Sequence, residues 1–320
     1  EFAHRFLYLE KYEPYFPRRF VAILLDAKEL AQQITLMSCH VFSQIQPREF
    51  FQKAWKQESS KWIHAPNICK FIEQYNTEVR WVQYTLLTEH KATRRCRFLL
   101  RFIDIALHCQ KIRNFNTLAA IHSALTMNVI ANLPWNQLNR CETKKYEDFR
   151  NLFDNWKKTE FFDQQEKAPS PAIPYLALFC KQFFRIEELE EYILPDQSIN
   201  YNKLLHLADR AERFRSYSRQ KYSFHKKFDY QALLFKEWAL LEKITDDNLY
   251  KMSKELRKKI KYFIFIFSRC FFCVFMLYKV SQVLYFRKVK WIFTHMQMFG
   301  CFFVSLFFSL SVLFFLCCRF

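Results

Sequence analysis

The chain has 320 residues, of which 51% are hydrophobic, enough to build one large core or two small ones. Its single glycine argues against phosphate-cradling loops, dinucleotide-binding fingerprints and sheet-rich folds with tight turns. All 31 acidic residues lie at or before Glu255, whereas 9 of the 49 basic residues follow Arg257, so half of the net charge of +18 falls in residues 258–320. The basic clusters elsewhere are short and form no stripe, and we expect no nucleic-acid partner.

Helical signals follow one another along residues 20–257. Asp26, with Glu29 three residues later, has the arrangement of a capping box and predicts the start of a helix. Pro47 and Asn116 are suited to begin two further helices. Apolar residues recur at helical spacing and do not alternate with period two for long. The region therefore predicts an all-α domain.

The segment 171–191 is unusual because it is very apolar and ends in four glutamates. Pro171 and Pro174 suit the first turn of a helix. Acids near a helix C-terminus are mildly unfavourable, and the segment has more apolar surface than an ordinary exposed helix. Such a segment could enter another protein and repel an anion there. The alternative is a buried core helix whose last turn reaches solvent.

Composition changes sharply after residue 257, and 16 of the 38 phenylalanines fall within 260–320. We predict a hydrophobic C-terminal tail at 258–320 with a possible transmembrane helix at 298–318, a stretch of 21 residues without charge. Basic residues before that stretch would keep the preceding domain in the cytoplasm. The alternative is translated non-coding sequence, because the frequent residues of the tail share T-rich codons. Residues 1–19 are interpreted as an N-terminal remnant or linker.

Candidate groups for covalent or metal chemistry are scattered. Six cysteines stand singly in apolar or helical contexts: Cys39, Cys69, Cys96, Cys109, Cys141 and Cys180. Cys270 and Cys273 have a CxxC spacing, but no second pair lies at the spacing of a zinc site. Histidines such as His40, His122 and His206 have no nucleophile or metal partner at a recognisable spacing. We therefore expect no metal, no cofactor and no enzymatic activity.

Four blocks within residues 20–257 together resemble the catalytic domain of Ras-type guanine-nucleotide exchange factors (RasGEF). They occur in the order of the family: ELAQQITLMSCHVFSQIQPREFFQKAW (29–55), RNFNTLAAIHSAL (113–125), PAIPYLALFCKQFFRIEE (171–188) and INYNKL (199–204), the last followed by TDDNLYKMSKELR near 245–257. The resemblance implies a multi-helix, all-α domain with a protruding helical hairpin.

The resemblance also implies a function, the release of GDP from a Ras-family small GTPase of Ras, Rap or Ral type. In the family the hairpin inserts beside the nucleotide site and displaces switch I. Block alignment puts Phe184 at the position that blocks magnesium and Glu188 at the position that mimics a phosphate. Tyr175 takes the aromatic anchor at the base of the hairpin, and Lys181 and Arg185 fall at further contact positions.

Some residues depart from the family pattern. Ala172 stands where the family usually has cysteine, and Ala177 and Leu189 stand where it has glycine. Three residues are expected at the surface that faces switch II: Thr126, where asparagine is typical, Asn128 and Ala131. These departures concern catalytic strength more than fold. They leave open a second hypothesis, an exchange-deficient RasGEF-fold scaffold or membrane-tethered adaptor.

Overall fold

The computed structural model describes residues 25–152, 171–189 and 191–258. These residues all belong to the first of two compact units, Glu1–Lys258 and Lys259–Phe320. The predicted linker at 1–19 lies outside the described residues, as do the tail from 259 onward and its possible transmembrane helix at 298–318.

Helices joined by short connections make up the described ranges. In chain order they are α1 (Ala27–Phe42), a 3-10 segment (Pro47–Lys56), α2 (Lys61–His64), α3 (Pro66–Thr88), α4 (Ala92–Lys111), α5 (Phe115–Thr126), α6 (Asn128–Ala131), α7 (Arg140–Asn151), α8 (Leu176–Leu189), α9 (Tyr201–Ser218), α10 (Phe228–Leu241) and α11 (246–258). Within these ranges extended pairing is limited to two isolated bridges, Asn114 with Ile173 and Ile193 with Ile199. The prediction of an all-α domain is confirmed.

The core is formed where α1, α3, α4 and α5 pack on one another. Each helix contributes side chains that are fully removed from water: Leu30 and Ile34 of α1, Val82 and Leu86 of α3, Leu99 and Ile103 of α4, and Leu118 and Leu125 of α5. These residues recur at the spacing of one helical face, so burial of that face stabilises the bundle.

Asp26 is the N-cap of α1, as predicted, whereas the expected capping box closed by Glu29 does not form. The Asp26 carboxylate accepts hydrogen bonds from the backbone N–H groups of Lys28 (2.9 Å) and Glu29 (3.0 Å). The Glu29 side chain forms an ion pair with Lys227, which precedes α10. The capping residue thus fixes the start of α1, while Glu29 connects the first turn to a distant helix.

Asn116 does not cap α5, so this prediction was wrong by two residues. Asn114 is the cap, and its Oδ1 accepts from the Thr117 N–H at 3.1 Å. Asn116 is buried inside the first turn, where its Oδ1 accepts from the Leu176 N–H at 3.4 Å. Either asparagine suits a cap by residue type, and the choice depends on where the chain enters the helix.

Two predicted helix starts at prolines also differ in the structure. Pro47 begins a 3-10 segment that is broken by non-helical backbone at 51–53. Pro171 and Pro174 precede α8 instead of forming its first turn. The chain between them is extended because Ile173 exchanges backbone hydrogen bonds with the residues on either side of Asn114, at 2.9 Å each. A tertiary bridge therefore overrides the local preference of proline for a first helical turn.

None of the helices within the ranges 25–152, 171–189 and 191–258 combines the length and the apolar composition that crossing a bilayer would require. Nor do three or more histidine, cysteine or acidic side chains in those ranges gather in a group that could hold a metal ion.

Candidate functional site

Helices α8 and α9 pack against each other and form a helical hairpin. Their connection is closed by backbone hydrogen bonds from Leu194 N–H to the Ser198 carbonyl (2.8 Å) and from Asn200 N–H to the Tyr192 carbonyl (2.9 Å). All residues from 191 to 199 are exposed. Gln197, within this connection, has a left-handed backbone conformation (φ 64°) where the chain reverses direction. Leu189, which stands where the family has glycine, is the last residue of α8.

The two sides of α8 have different environments. One side is buried and consists of Leu176, Phe179 and Phe183. The predicted contact residues lie on the opposite side: Lys181, Phe184, Arg185 and Glu188. At 3.6 residues per turn these four span an arc of about 100°. Lys181, Arg185 and Glu188 are exposed and Phe184 is half-buried, so the structure brings the predicted helix residues together on one accessible face.

A cluster of aromatic rings anchors the buried side of α8. Phe183 stacks on Phe50 of the 3-10 segment with ring centres 4.5 Å apart. Phe214 of α9 lies 5.3 Å from Phe179, 4.9 Å from Phe50 and 5.1 Å from Phe42 of α1. Such edge-to-face and stacked pairs add to the stabilisation from burial alone. The hairpin is therefore held to both the 3-10 segment and the main bundle.

The accessible face of α8 meets two lysines of the 3-10 segment. Lys53 forms an ion pair with Glu188, and Lys56 lies over the Phe184 ring at 3.9 Å from its centre. The hydrogen bond and the charge of Lys53 lower the pKa of the Glu188 carboxyl. Both residues that the family resemblance assigns to nucleotide displacement are thus outward-facing and contact a lysine in the free domain.

The neighbouring Glu187 has a buried side chain. Its Oε1 accepts from the backbone N–H of Gln52 (2.8 Å) and from the hydroxyl of Tyr192 (2.9 Å), and its Oε2 lies 3.2 Å from Lys203 Nζ. The side chains of Glu187 and Lys203 are 3% and 2% exposed. Burial and the Glu187 carboxylate raise the pKa of Tyr192 to about 12. Glu187 therefore joins the 3-10 segment, the connection and α9.

Sequence reasoning did not distinguish Glu187 from the other three glutamates of the segment. A usable signal was present, because Glu187 follows Phe183 by four residues. Residues four apart lie on the same side of a helix, so Glu187 falls at the edge of the buried side.

Tyr175 directly precedes α8 at the base of the hairpin. Its ring stacks on Tyr75 of α3 with ring centres 5.8 Å apart. The Tyr75 hydroxyl in turn lies 2.8 Å from Ser123 Oγ in α5, and burial raises the Tyr75 pKa well above its usual range. The aromatic pair thus connects the start of the hairpin to the last turns of α5.

The predicted switch II surface lies at the junction of α5 and α6. The Thr126 hydroxyl donates to the His122 carbonyl at 2.9 Å within the last turn of α5. Asn128 begins α6 and is exposed, and Ala131 ends α6 and is half-buried. Met127 between the two helices is 50% exposed, and sequence reasoning did not single it out. The Tyr75 hydroxyl reaches Ser123, one turn before this junction, whereas Phe184 and Glu188 meet lysines of the 3-10 segment.

Curated proteins similar to this chain include three from Dictyostelium discoideum. Ras guanine nucleotide exchange factor M is 27% identical over 234 residues, which are 71% of this chain and 25% of that protein. For Ras guanine nucleotide exchange factor Q the identity is 28% over 228 residues, 70% of this chain and 17% of that protein. For Ras guanine nucleotide exchange factor D it is 29% over 200 residues, 61% of this chain and 29% of that protein. The chain thus spans less than a third of the length of each of these relatives.

The sequence profile of the RasGEF domain matches residues 29–205. That range contains the 3-10 segment, the α5–α6 junction, all of α8 and the start of α9. It covers more than half of the 320 residues, and the resemblance inferred from the four sequence blocks is confirmed. On this match the chain belongs to the RasGEF family.

Proposed function

We propose that this protein promotes the release of GDP from a Ras-family small GTPase of Ras, Rap or Ral type by inserting the accessible face of α8 beside the nucleotide. The observation that carries the proposal is the division of α8, whose aromatic side is locked into the domain while Phe184 and Glu188 lie on the other side. Membership of the RasGEF family and the names of the relatives support the same activity.

The proposed mechanism needs binding energy and no covalent step. Magnesium and the phosphates are the main charges that hold a nucleotide in a GTPase. The Glu188 carboxylate would compete with the phosphates for their binding loop, and the Phe184 ring would occupy the magnesium position without offering a ligand. Exchange then follows from linkage, because a factor that binds the empty GTPase more tightly than the loaded one weakens nucleotide binding by the same factor.

A nucleotide-release assay tests this proposal. The 320-residue chain is added to Ras, Rap and Ral proteins loaded with fluorescent GDP, and the loss of signal is followed over time. We expect faster release from at least one GTPase, and loss of that acceleration in Phe184→Ala and Glu188→Ala. Glu147→Ala, an exposed change on α7, is the matched control and should keep the wild-type rate. No acceleration across the panel would refute the proposal.

The second candidate function is an exchange-deficient scaffold that binds a GTPase without releasing its nucleotide. It is favoured by the contacts of Lys53 and Lys56, which already engage Glu188 and Phe184 within the domain. Binding of nucleotide-free GTPase without faster release would support it. A membrane-tethered form of this adaptor depends on residues 259–320, outside the described ranges, and a cytoplasmic location is likewise part of the proposal for either function.

A further inference from the structure

We infer that Glu187 is a positioning residue, which fixes the orientation of the α8–α9 hairpin through Lys203, Tyr192 and the Gln52 backbone so that Phe184 and Glu188 face a GTPase. The inference rests on the proposed exchange activity for its functional consequence. The two adjacent glutamates then have different roles. Glu187 makes contacts inside the domain, and Glu188 is presented to a GTPase.

The geometry of the Glu187 carboxylate supports an internal task. One oxygen accepts from both the Gln52 N–H and the Tyr192 hydroxyl, and the other pairs with Lys203. The Lys203 ammonium also lies over the Tyr192 ring at 3.7 Å from its centre. Both oxygens therefore have partners inside the domain, and the side chain is buried. Glu188, one residue later, is exposed.

The partners of Glu187 come from parts of the chain that are far apart. Gln52 belongs to the 3-10 segment, Tyr192 to the connection and Lys203 to the first turn of α9. One carboxylate near the end of α8 thus contacts the 3-10 segment, the connection and α9. Hydrogen bonds to a charged group are directional and stronger than neutral ones, so this arrangement restricts both tilt and rotation of α8.

The backbone of the 3-10 segment gives independent support. Gln52 and Lys53 have φ values of 53° and 57°, in the left-handed region that non-glycine residues occupy at an energetic cost. This conformation presents the Gln52 N–H to Glu187 and places Lys53 beside Glu188. Strained backbone persists where surrounding contacts fix it, and the bond to Glu187 is such a contact.

The charges of Glu187 and Lys203 are expected to depend on each other, because both side chains are buried. A buried ion pair gives little net stability, but removing one partner leaves an uncompensated buried charge. Without the Glu187 charge, the Lys203 ammonium is therefore expected to move into solvent. The end of α8 would then lose its contacts with the 3-10 segment and α9. Removal of both charges leaves no such charge behind, and the aromatic cluster around Phe214 still anchors the hairpin.

The test compares Glu187→Gln with Glu188→Gln in the full chain, using two readouts. The first is acceleration of GDP release, and the second is hydrogen exchange of the Gln52 amide, which is bonded directly to Glu187. We expect Glu188→Gln to lose at least tenfold in acceleration while the Gln52 amide stays protected. We expect Glu187→Gln to lose at least tenfold in acceleration and to exchange the Gln52 amide at least tenfold faster.

Further variants separate positioning from a failure to fold. Lys203→Arg retains the cation and should keep the acceleration within threefold of wild type. The double variant Glu187→Gln with Lys203→Met removes both buried charges, so it should fold even if Glu187→Gln alone does not. It should show the same fast Gln52 exchange together with a helical circular dichroism spectrum like that of the wild type.

The outcomes distinguish this inference from the proposed function. If the wild-type chain does not accelerate GDP release, the proposed function fails. Faster hydrogen exchange of the Gln52 amide in the Glu187 variants would then still support the positioning role of Glu187. Unchanged hydrogen exchange of that amide would overturn it. If the wild type is active, full activity in both Glu187 variants overturns the inference. Lost activity with a protected Gln52 amide also overturns it, because Glu187 would then act by touching the GTPase.

Discussion

Phe183 and Phe184 are adjacent in sequence, but replacing each by alanine is predicted to lower a different quantity. Phe183→Ala should lower the stability of the domain, and Phe184→Ala should lower its exchange activity. Phe183 is fully buried and stacks on Phe50 at 4.5 Å. Truncating a buried phenylalanine removes its transfer free energy and leaves a cavity, which together cost about 3–5 kcal/mol. Phe184 is half-buried beneath Lys56. Its loss should cost about 1–2 kcal/mol, from partial burial and one cation–π contact.

The assay measures both quantities on the same preparations. Urea denaturation followed by circular dichroism gives the free energy of unfolding, and release of fluorescent GDP gives the exchange activity. We expect Phe184→Ala to remain stable but to lose acceleration, and Phe183→Ala to lose stability while its folded fraction retains activity at low temperature. The comparison is matched, because the same ring is removed one residue apart.

Two results would refute this reasoning. If Phe184→Ala destabilised the domain by as much as Phe183→Ala, the Phe184 ring would belong to the core. The accessible face of α8 would then not be a binding surface. If Phe184→Ala kept full acceleration, the assignment of this ring to the magnesium position would be wrong even though the family assignment would stand.

Three further predictions concern single side chains. The Glu188 carboxyl, whose pKa is lowered by Lys53, should titrate below the usual range for glutamate, and Lys53→Ala should return it to that range in an NMR titration. Tyr75→Phe should lower the free energy of unfolding by about 1 kcal/mol by removing the hydroxyl that bonds Ser123 Oγ and lies 3.5 Å from the Ala119 carbonyl; a loss above about 3 kcal/mol in urea denaturation would contradict this. Glu78 is buried, which raises its pKa from 4.5 to about 7. Because the folded state holds this proton more tightly, its contribution to stability is present below pH 4.5 and is lost as pH rises towards 7, about 3 kcal/mol in all. Glu78→Gln should abolish that part of the pH dependence of the urea midpoint.

The helices themselves were predictable from sequence because their signals are local. Asp26 caps α1 at the predicted helix start, and Asn200, a residue type suited to a cap, precedes α9 and accepts from the Lys203 N–H. The residues of the accessible face of α8 were predicted through the family blocks, since spacing alone cannot say which of Phe183 and Phe184 is buried. That choice depends on which side of α8 meets Phe50, a residue more than a hundred positions away.

The contacts that hold the hairpin were not predictable for the same reason. The left-handed backbone at Gln52 has no sequence signal, because glycine is the usual residue in that conformation. Lysine is rarely buried, so nothing local marks Lys203 as an interior residue. Both residues contact Glu187, and the three lie together only after the fold has formed.

A single ring in the middle of α9 contacts side chains of three other elements, α1, the 3-10 segment and α8. Phe214 touches Phe42, Phe50 and Phe179, so a change in its volume shifts α8 relative to α1 and the 3-10 segment at once. On the proposed function, a substitution at this interior position would therefore change the angle at which the accessible face of α8 meets a GTPase, while every residue on that face stays the same.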